Sequence, residues 1–414
     1  MMKILQKNKP YLLLISGRVY YRLAFLALTI VLSTVWVKGD FGYYAAKMGT
    51  WIIIDTILGA GMGISIPKLL VLHKPLKELI VRGTILLASL ASLAIVIAIS
   101  AIGFLLANTI HVDFDILDVL IICSLLSYSI STVLQGIYRV LGKVSYDYFV
   151  SYILGSIILL LALFSFFVSM SPITNVIYRT LFFILTDIYL VYKILKLFPL
   201  QKKYSRKFYK TTVIRLIKES SVLATNNVVI DANFSVINIV FRFYNLFEAA
   251  ADFNLVLAVA GPILAFYRYL LIIFIPKIVD FARKKQKYYM DKYSKRFLSI
   301  VSIIVLISVA SAFMTAASGS GIINLGILFV CWTPLLILFE TLLMYFEATM
   351  TKNLIFTARG CIIGFVACSI STVLLVPRFY ATGAFFSLIL LDIVMIIYFL
   401  SLFYSTKNQM FKAN

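Results

Sequence analysis

Charge is scarce in this chain: only 13% of its 414 residues are Asp, Glu, Lys or Arg, roughly half the share of a soluble globular protein. Histidine is scarcer still, with His73 and His111 each alone in a predicted loop. The four cysteines (Cys123, Cys331, Cys361, Cys368) fall singly within apolar runs, with no Cys-x-x-Cys or Cys/His pairing. That pattern suggests neither a zinc site nor a disulfide framework and leaves the thiols a packing role. The glycine run GAGMG (59–63) follows no predicted strand, so it is read as close helix packing rather than a dinucleotide loop. No catalytic residue, metal ligand or cofactor is expected.

What the chain has in abundance is apolar sequence, 62% of residues with a mean hydropathy of +1.01. Runs of about 20 apolar residues, the length that crosses a ~30 Å hydrocarbon core, recur from end to end. The first, from about Tyr11, carries two arginines and no small-residue cleavage site, so it reads as a span and not a signal peptide. The expected fold is an all-α polytopic membrane protein of twelve spans. They run over 11–36, 43–66, 83–107, 115–138, 147–169, 173–192, 219–242, 253–276, 298–317, 322–349, 354–376 and 382–404.

The connections sort by charge. One alternate set holds 29 of the 38 basic residues, and the other holds only Lys38 and Arg378, with Asp113 and Asp115 in its second turn, the loop at 108–115. The positive-inside rule then puts both termini in the cytoplasm and accounts for most of the +21 net charge without nucleic acid. The linker KILKLFPLQKKYSRKFYKTTVIRLIK (193–218) and the loop KIVDFARKKQKYYMDKYSKR (277–296) mix cations with aromatics. Between spans, such segments are expected to lie on anionic membrane lipids.

The linker separates six spans from six: a bundle over 1–197, the basic cytoplasmic segment 198–218, and a bundle over 219–414. A shift of 209 residues carries Ile66-Pro67-Lys68 onto Ile275-Pro276-Lys277, and Arg18 and Arg22 onto Asn227 and Asp231. Two parallel repeats are the arrangement this suggests, and such repeats are typical of transporters.

Within the seventh span, Asn227, Asp231, Ser235, Asn238 and Arg242 are spaced 4, 4, 3 and 4 apart and share one helix face. In span one, Arg18 and Arg22 are one turn apart. A charge at mid-membrane costs roughly 2.5–3.5 kcal/mol even on the lenient insertion scale, so such stripes must face helices or water. An Arg22–Asp231 ion pair joining the halves would absorb two charges. A water-filled cavity lined by spans one, two, seven and eight would accommodate the set, and its basic side suits an anionic substrate. Arg18, Lys47, Arg179, Arg242, Arg268 and Arg359 stand within spans or at their ends, against the acids Asp55, Asp187, Asp231, Glu340 and Asp392. Asp55, Asp231 and Glu340 are the candidates for ion coupling, with an interhelical hydrogen bond the other role open to Glu340. Asp392 reads as a structural hydrogen-bonder.

The stretches DFGYYAAKMGTWIIIDTILGAGMGISIPK (40–68), NLFEAAADFNLVLAV (245–259) and QGIYRVLGKVSYDYF (135–149) carry a family resemblance. With the six-plus-six layout, the chain resembles polysaccharide flippases of the Wzx type, in the multidrug/oligosaccharidyl-lipid/polysaccharide (MOP) superfamily. The resemblance implies two six-helix bundles in a V around a central cavity, in the bacterial cytoplasmic (inner) membrane. It implies translocation, by alternating access, of an undecaprenyl-diphosphate-linked oligosaccharide: an O-antigen, lipopolysaccharide, capsule or exopolysaccharide repeat unit. Glycan polymerase and chain-length proteins would be further partners. By the same resemblance Arg18, Arg22 and Arg268 would contact the diphosphate, for which a bidentate guanidinium is the suited donor. Asn227, Asp231, Asn238 and Arg242 would line the cavity. A multidrug exporter of the same superfamily would share this topology, with acids and aromatics expected in its cavity. A membrane glycosyltransferase or polymerase would need a long outward loop, and every outward connection here is roughly a dozen residues or fewer.

Overall fold

A computed structural model describes residues 2–56, 59, 77–110, 113–140, 144–197, 211, 214, 228–229, 231–259, 261–262, 322–349 and 354–412. Among these the chain is helical, with no strand. Six helices come first: α1 (Met2–Val35), α2 (Lys38–Asp55), α3 (Lys77–Ile110), α4 (Ile116–Val140), α5 (Val144–Val168) and α6 (Pro172–Leu197). Then follow α7 (231–243), α8 (247–259), α9 (Ile322–Thr349) and α10 (Leu354–Lys412). Five described helical stretches are long and apolar enough to cross a membrane, and the protein is a multi-pass helical membrane protein. Span nine, the ends of spans two, seven and eight, Arg268, Asn227, His73 and His111 lie outside the described residues.

Helix ends follow local chemistry. Asp115 caps α4, its Oδ1 accepting the backbone N–H groups of Leu117 (2.8 Å) and Asp118 (3.2 Å), while Asp118 returns a bond to the Asp115 N–H (3.1 Å). This reciprocal arrangement satisfies donors that a helix start leaves orphaned. Ser171 caps α6, where Pro172 fills the first helical position. Span eleven and span twelve are the two limbs of α10, broken at Tyr380 (φ 54°, ψ −132°) three residues after Pro377.

The 209-residue shift also brings several helix ends close to one another. It carries Val35 and Lys38, which flank the first break, to 244 and 247, beside the observed break after 243 and before 247. It carries Val140 to Thr349, where α9 ends, and Val144 to 353, one residue before α10 begins.

The described chain forms two compact units, Met1–Ser235 and Val236–Asn414. In the first, α1 lies along α5, and α4 is flanked by α2, α3, α5 and α6. The approach of α1 to α5 depends on Gly155, where a Cβ would sit 2.7 Å from the Tyr20 ring. Tyr20 stacks on Tyr152 there (centroids 4.5 Å apart), and Trp36 Nε1 donates to the Met170 carbonyl, joining the α1–α2 turn to the α5–α6 turn. Along α3, Leu90, Leu93 and Ile97 are more than half exposed, as a lipid-facing helix requires. The second unit is centred on Phe253, Phe329, Trp332 and Phe385, with α9 lying on α10. Cys361 and Cys368 are free thiols buried within it.

Candidate functional site

The first unit gathers charge from three helices at one place. Arg18 of α1 donates through Nη2 to Gln135 Oε1 of α4. Asp55, at the end of α2, accepts from Ser129 Oγ of α4 at 2.9 Å. Its neighbour Thr56 donates through Oγ1 to Asp231 of α7. Arg18, Arg22 and Asp231 all lie within electrostatic reach of Asp55. Two guanidiniums and two carboxylates therefore share one patch, held by the polar side chains Thr56, Ser129 and Gln135.

Arg22 differs from the other three. It is exposed, and among the described residues it makes no hydrogen bond or ion pair. Tyr21, next to it, is buried and stacks on Tyr128 (centroids 5.2 Å apart), which fixes the rotation of α1 and leaves Arg22 outside. Chemically, the patch can offer a free guanidinium fork to an anion, with carboxylates nearby for a proton or cation. An Arg22–Asp231 ion pair is not formed, and the Asp231 carboxylate is engaged by Thr56.

The rest of the seventh-span stripe has other surroundings. Ser235 Oγ is 3.3 Å from the Gly49 carbonyl of α2. Asn238, in the second unit, is fully buried and accepts from Asn254 Nδ2 of α8 at 2.9 Å. Arg242 is half-buried near the end of α7. Glu340 of α9 and Asp392 of α10, 4% and 1% exposed, are close enough for their charges to interact. Trp332 is buried alongside Asp392.

Three other charges within spans take partners that the sequence did not reveal. Lys47 is fully buried and bonds Asp118 at 2.6 Å, Asp115 at 2.9 Å and Asp113 at 3.4 Å. Arg179, 2% exposed, donates to Ser124 Oγ (2.8 Å), Tyr44 Oη (3.0 Å) and Met48 Sδ (3.1 Å). Asp187 accepts from Ser127 (2.6 Å) and Ser131 (2.5 Å). These groups hold the bundle together and leave Arg18 and Arg22 as the cations of the patch. The missed patch members Thr56, Ser129 and Gln135 carry only a faint signal, a polar residue in an apolar run.

Water at Arg22 is directly testable. Single cysteines replacing Arg22 and Asp231 should react with a small water-soluble thiol reagent. Cysteines replacing the buried Ala24 and Leu28, and the exposed Leu23 on the next face, should stay unmodified. Equal labelling at position 23 would mean that water surrounds α1 and no polar face exists.

No family model matches the chain, and no curated protein matches it in sequence. Solved structures do. A multidrug resistance MATE family transporter of the MOP superfamily, in its inward-facing conformation, aligns with TM-score 0.62 at 15% identity over 92% of this chain and 97% of its own. The MATE multidrug transporter DinF-BH aligns with TM-score 0.63 at 16% identity over 98% and 96%. A MOP superfamily transporter from Pyrococcus furiosus, described as having a binding pocket of reverse polarity, aligns with TM-score 0.56 at 15% identity over 95% and 94%. The fold is that of MATE and other MOP superfamily transporters.

Proposed function

We propose that this protein is a transporter that flips an undecaprenyl-diphosphate-linked oligosaccharide across the bacterial cytoplasmic membrane, by alternating access of halves 1–197 and 219–414. The observation that carries the reading is Arg22: an exposed guanidinium within a span, one turn from Arg18, with no hydrogen bond or ion pair among the described residues. Retaining it where Leu would insert more readily by several kcal/mol calls for an anion that offsets the cost, and a diphosphate fits the fork. Arg268 is assigned the same role from the second half. Both termini and the 198–218 linker are placed in the cytoplasm by the 29-to-2 charge bias. Asp55, Asp231 and Glu340 are the groups proposed to carry the coupling ion.

A second reading, multidrug export, draws on Asp55 and Asp231 within the same patch and on the neighbours described as multidrug transporters. Purified protein in liposomes separates the two. A lipid-linked oligosaccharide loaded in the inner leaflet should become accessible to an external lectin, while a cationic dye should not be moved. Dye transport without exposure of the glycan would transfer the assignment to drug export.

A further inference from the structure

A groove of about 560 Å³ runs between the two limbs of α10, lined by Phe356, Arg359, Ile362, Ile363, Tyr398 and Leu402. Its floor is closed where the limbs touch: a Cβ on Gly360 would lie 2.7 Å from the Tyr398 ring. Tyr398 Oη is occupied by the Phe356 carbonyl (3.0 Å) and Ser401 Oγ by the Ile397 carbonyl (2.8 Å). The walls are therefore apolar, and Ile362 and Ile363 are 49% and 46% exposed. Exposed Ile370 and Val373 continue the same apolar surface along the span.

One charge interrupts it. Arg359 is exposed at the groove, its guanidinium 5.8 Å from the centroid of the Phe356 ring, and no carboxylate among the described residues pairs with it. It stands five residues into α10, roughly 8 Å along the axis from Leu354 at 1.5 Å per residue. The apolar stretch begins at Phe356, so Arg359 stands near one end of the span, where a long basic side chain bends toward the polar layer.

We propose that this groove is a binding site for one anionic phospholipid, its headgroup phosphate on Arg359 and its upper acyl chain against Ile362, Ile363 and Leu402. Charge complementarity selects the occupant. A hydrocarbon-lined groove with a single cation at its headgroup end matches a molecule that has one phosphate and a chain. A packed helix from another protein would leave Arg359 in need of a carboxylate. The inference holds whatever the transported substrate is.

The test uses the purified full-length protein, incubated with phosphatidylglycerol or phosphatidylcholine of identical chains and read by native mass spectrometry and thermal unfolding. The wild type should retain one phosphatidylglycerol and gain thermal stability from it, with phosphatidylcholine giving neither effect. Arg359→Gln should weaken retention about tenfold, the loss of one charge-assisted contact, with lipid-free stability unchanged. Arg359→Lys should keep part of the binding, and Ile363→Trp, which fills the groove, should lose it without any change of charge. Equal retention of the two lipids, undiminished binding by Arg359→Gln or Ile363→Trp, or preference for a prenyl diphosphate over phosphatidylglycerol would each overturn the proposal.

Discussion

Replacing Arg22 by Leu should abolish surface polysaccharide in a deletion strain complemented with the variant, while the protein still reaches the membrane at normal level. The guanidinium is exposed and makes no hydrogen bond within the described chain, so its removal leaves no buried partner stranded and costs the fold little. On the proposed function, what is lost is a bond to the substrate diphosphate, and hydrogen bonds to charged groups contribute roughly 1.5–3 kcal/mol each, more for a fork. One bidentate contact then amounts to about a hundredfold or more in transport. Arg18→Leu and Arg268→Leu should fall in the same direction. For Arg18 a stability loss is added, because Gln135 on α4 is left without its donor. Arg22→Lys should recover part of the display, since charge remains and the fork does not. The double change Arg22→Leu with Asp231→Leu should not rescue transport, because Asp231 is bonded to Thr56 and does not exist to neutralise Arg22. Normal display from all three single Arg→Leu variants would end the diphosphate reading.

Lys47→Met should destabilise the protein by about 3–5 kcal/mol, the usual result of removing one partner from a buried ion pair. Asp118 is completely buried, and without Lys47 its charge loses the cation bonded to it at 2.6 Å, while the Trp51 indole (2.6 Å) and the Asp115 N–H remain as neutral donors. Adding Asp118→Asn, which retains an acceptor for Trp51 and removes the stranded charge, should restore most of the loss. Unfolding in detergent would measure both, and a Lys47→Met variant within about 0.5 kcal/mol of wild type would show that the cluster contributes nothing. The cluster also sets an acid limit. At Asp115, burial pulls the pKa up, but the bonds from Lys47 and Tyr43 and the Lys47 charge hold it below the usual carboxylate value of about 3.9. A depressed pKa means stability that is present in full above the unfolded value and lost as pH falls through the folded one. Neutral pH therefore leaves the tie between α2 and α4 intact, and strong acid removes it.

Much of the fold was legible because lipid imposes a simple rule, that long apolar runs become helices. The breaks near 36, 169, 245 and 380 fall close to where spans were expected to end, and several helix ends recur at the 209-residue shift. The site was legible only in part. Spacing put Arg18 and Arg22 on one face, yet it could not say which way that face turns. The Tyr21–Tyr128 stack settles this, and its two members are 107 positions apart in the chain. Likewise Lys47 finds Asp118 71 residues away and Arg18 finds Gln135 117 away. Counting Lys47, Arg179 and Arg359 toward a basic cavity overstated the cation excess. The first is neutralised by three aspartates, the second is held by neutral acceptors, and the third lies on the α10 groove.

The abruptness of the turns has a consequence for what can be reached from one side of the membrane. On the twelve-span count, the breaks after Val35, Ile110, Val168 and 243 and at Tyr380 all fall on one side of the membrane, and none exceeds five residues. Three of them close on a single left-handed residue, Ser169, Asn245 or Tyr380, so the chain reverses with almost no slack. A protease needs an extended strand of several residues to seat in its cleft, and an antibody needs a raised epitope. Across these five turns the protein presents neither, so digestion and recognition from that side must begin elsewhere in the chain.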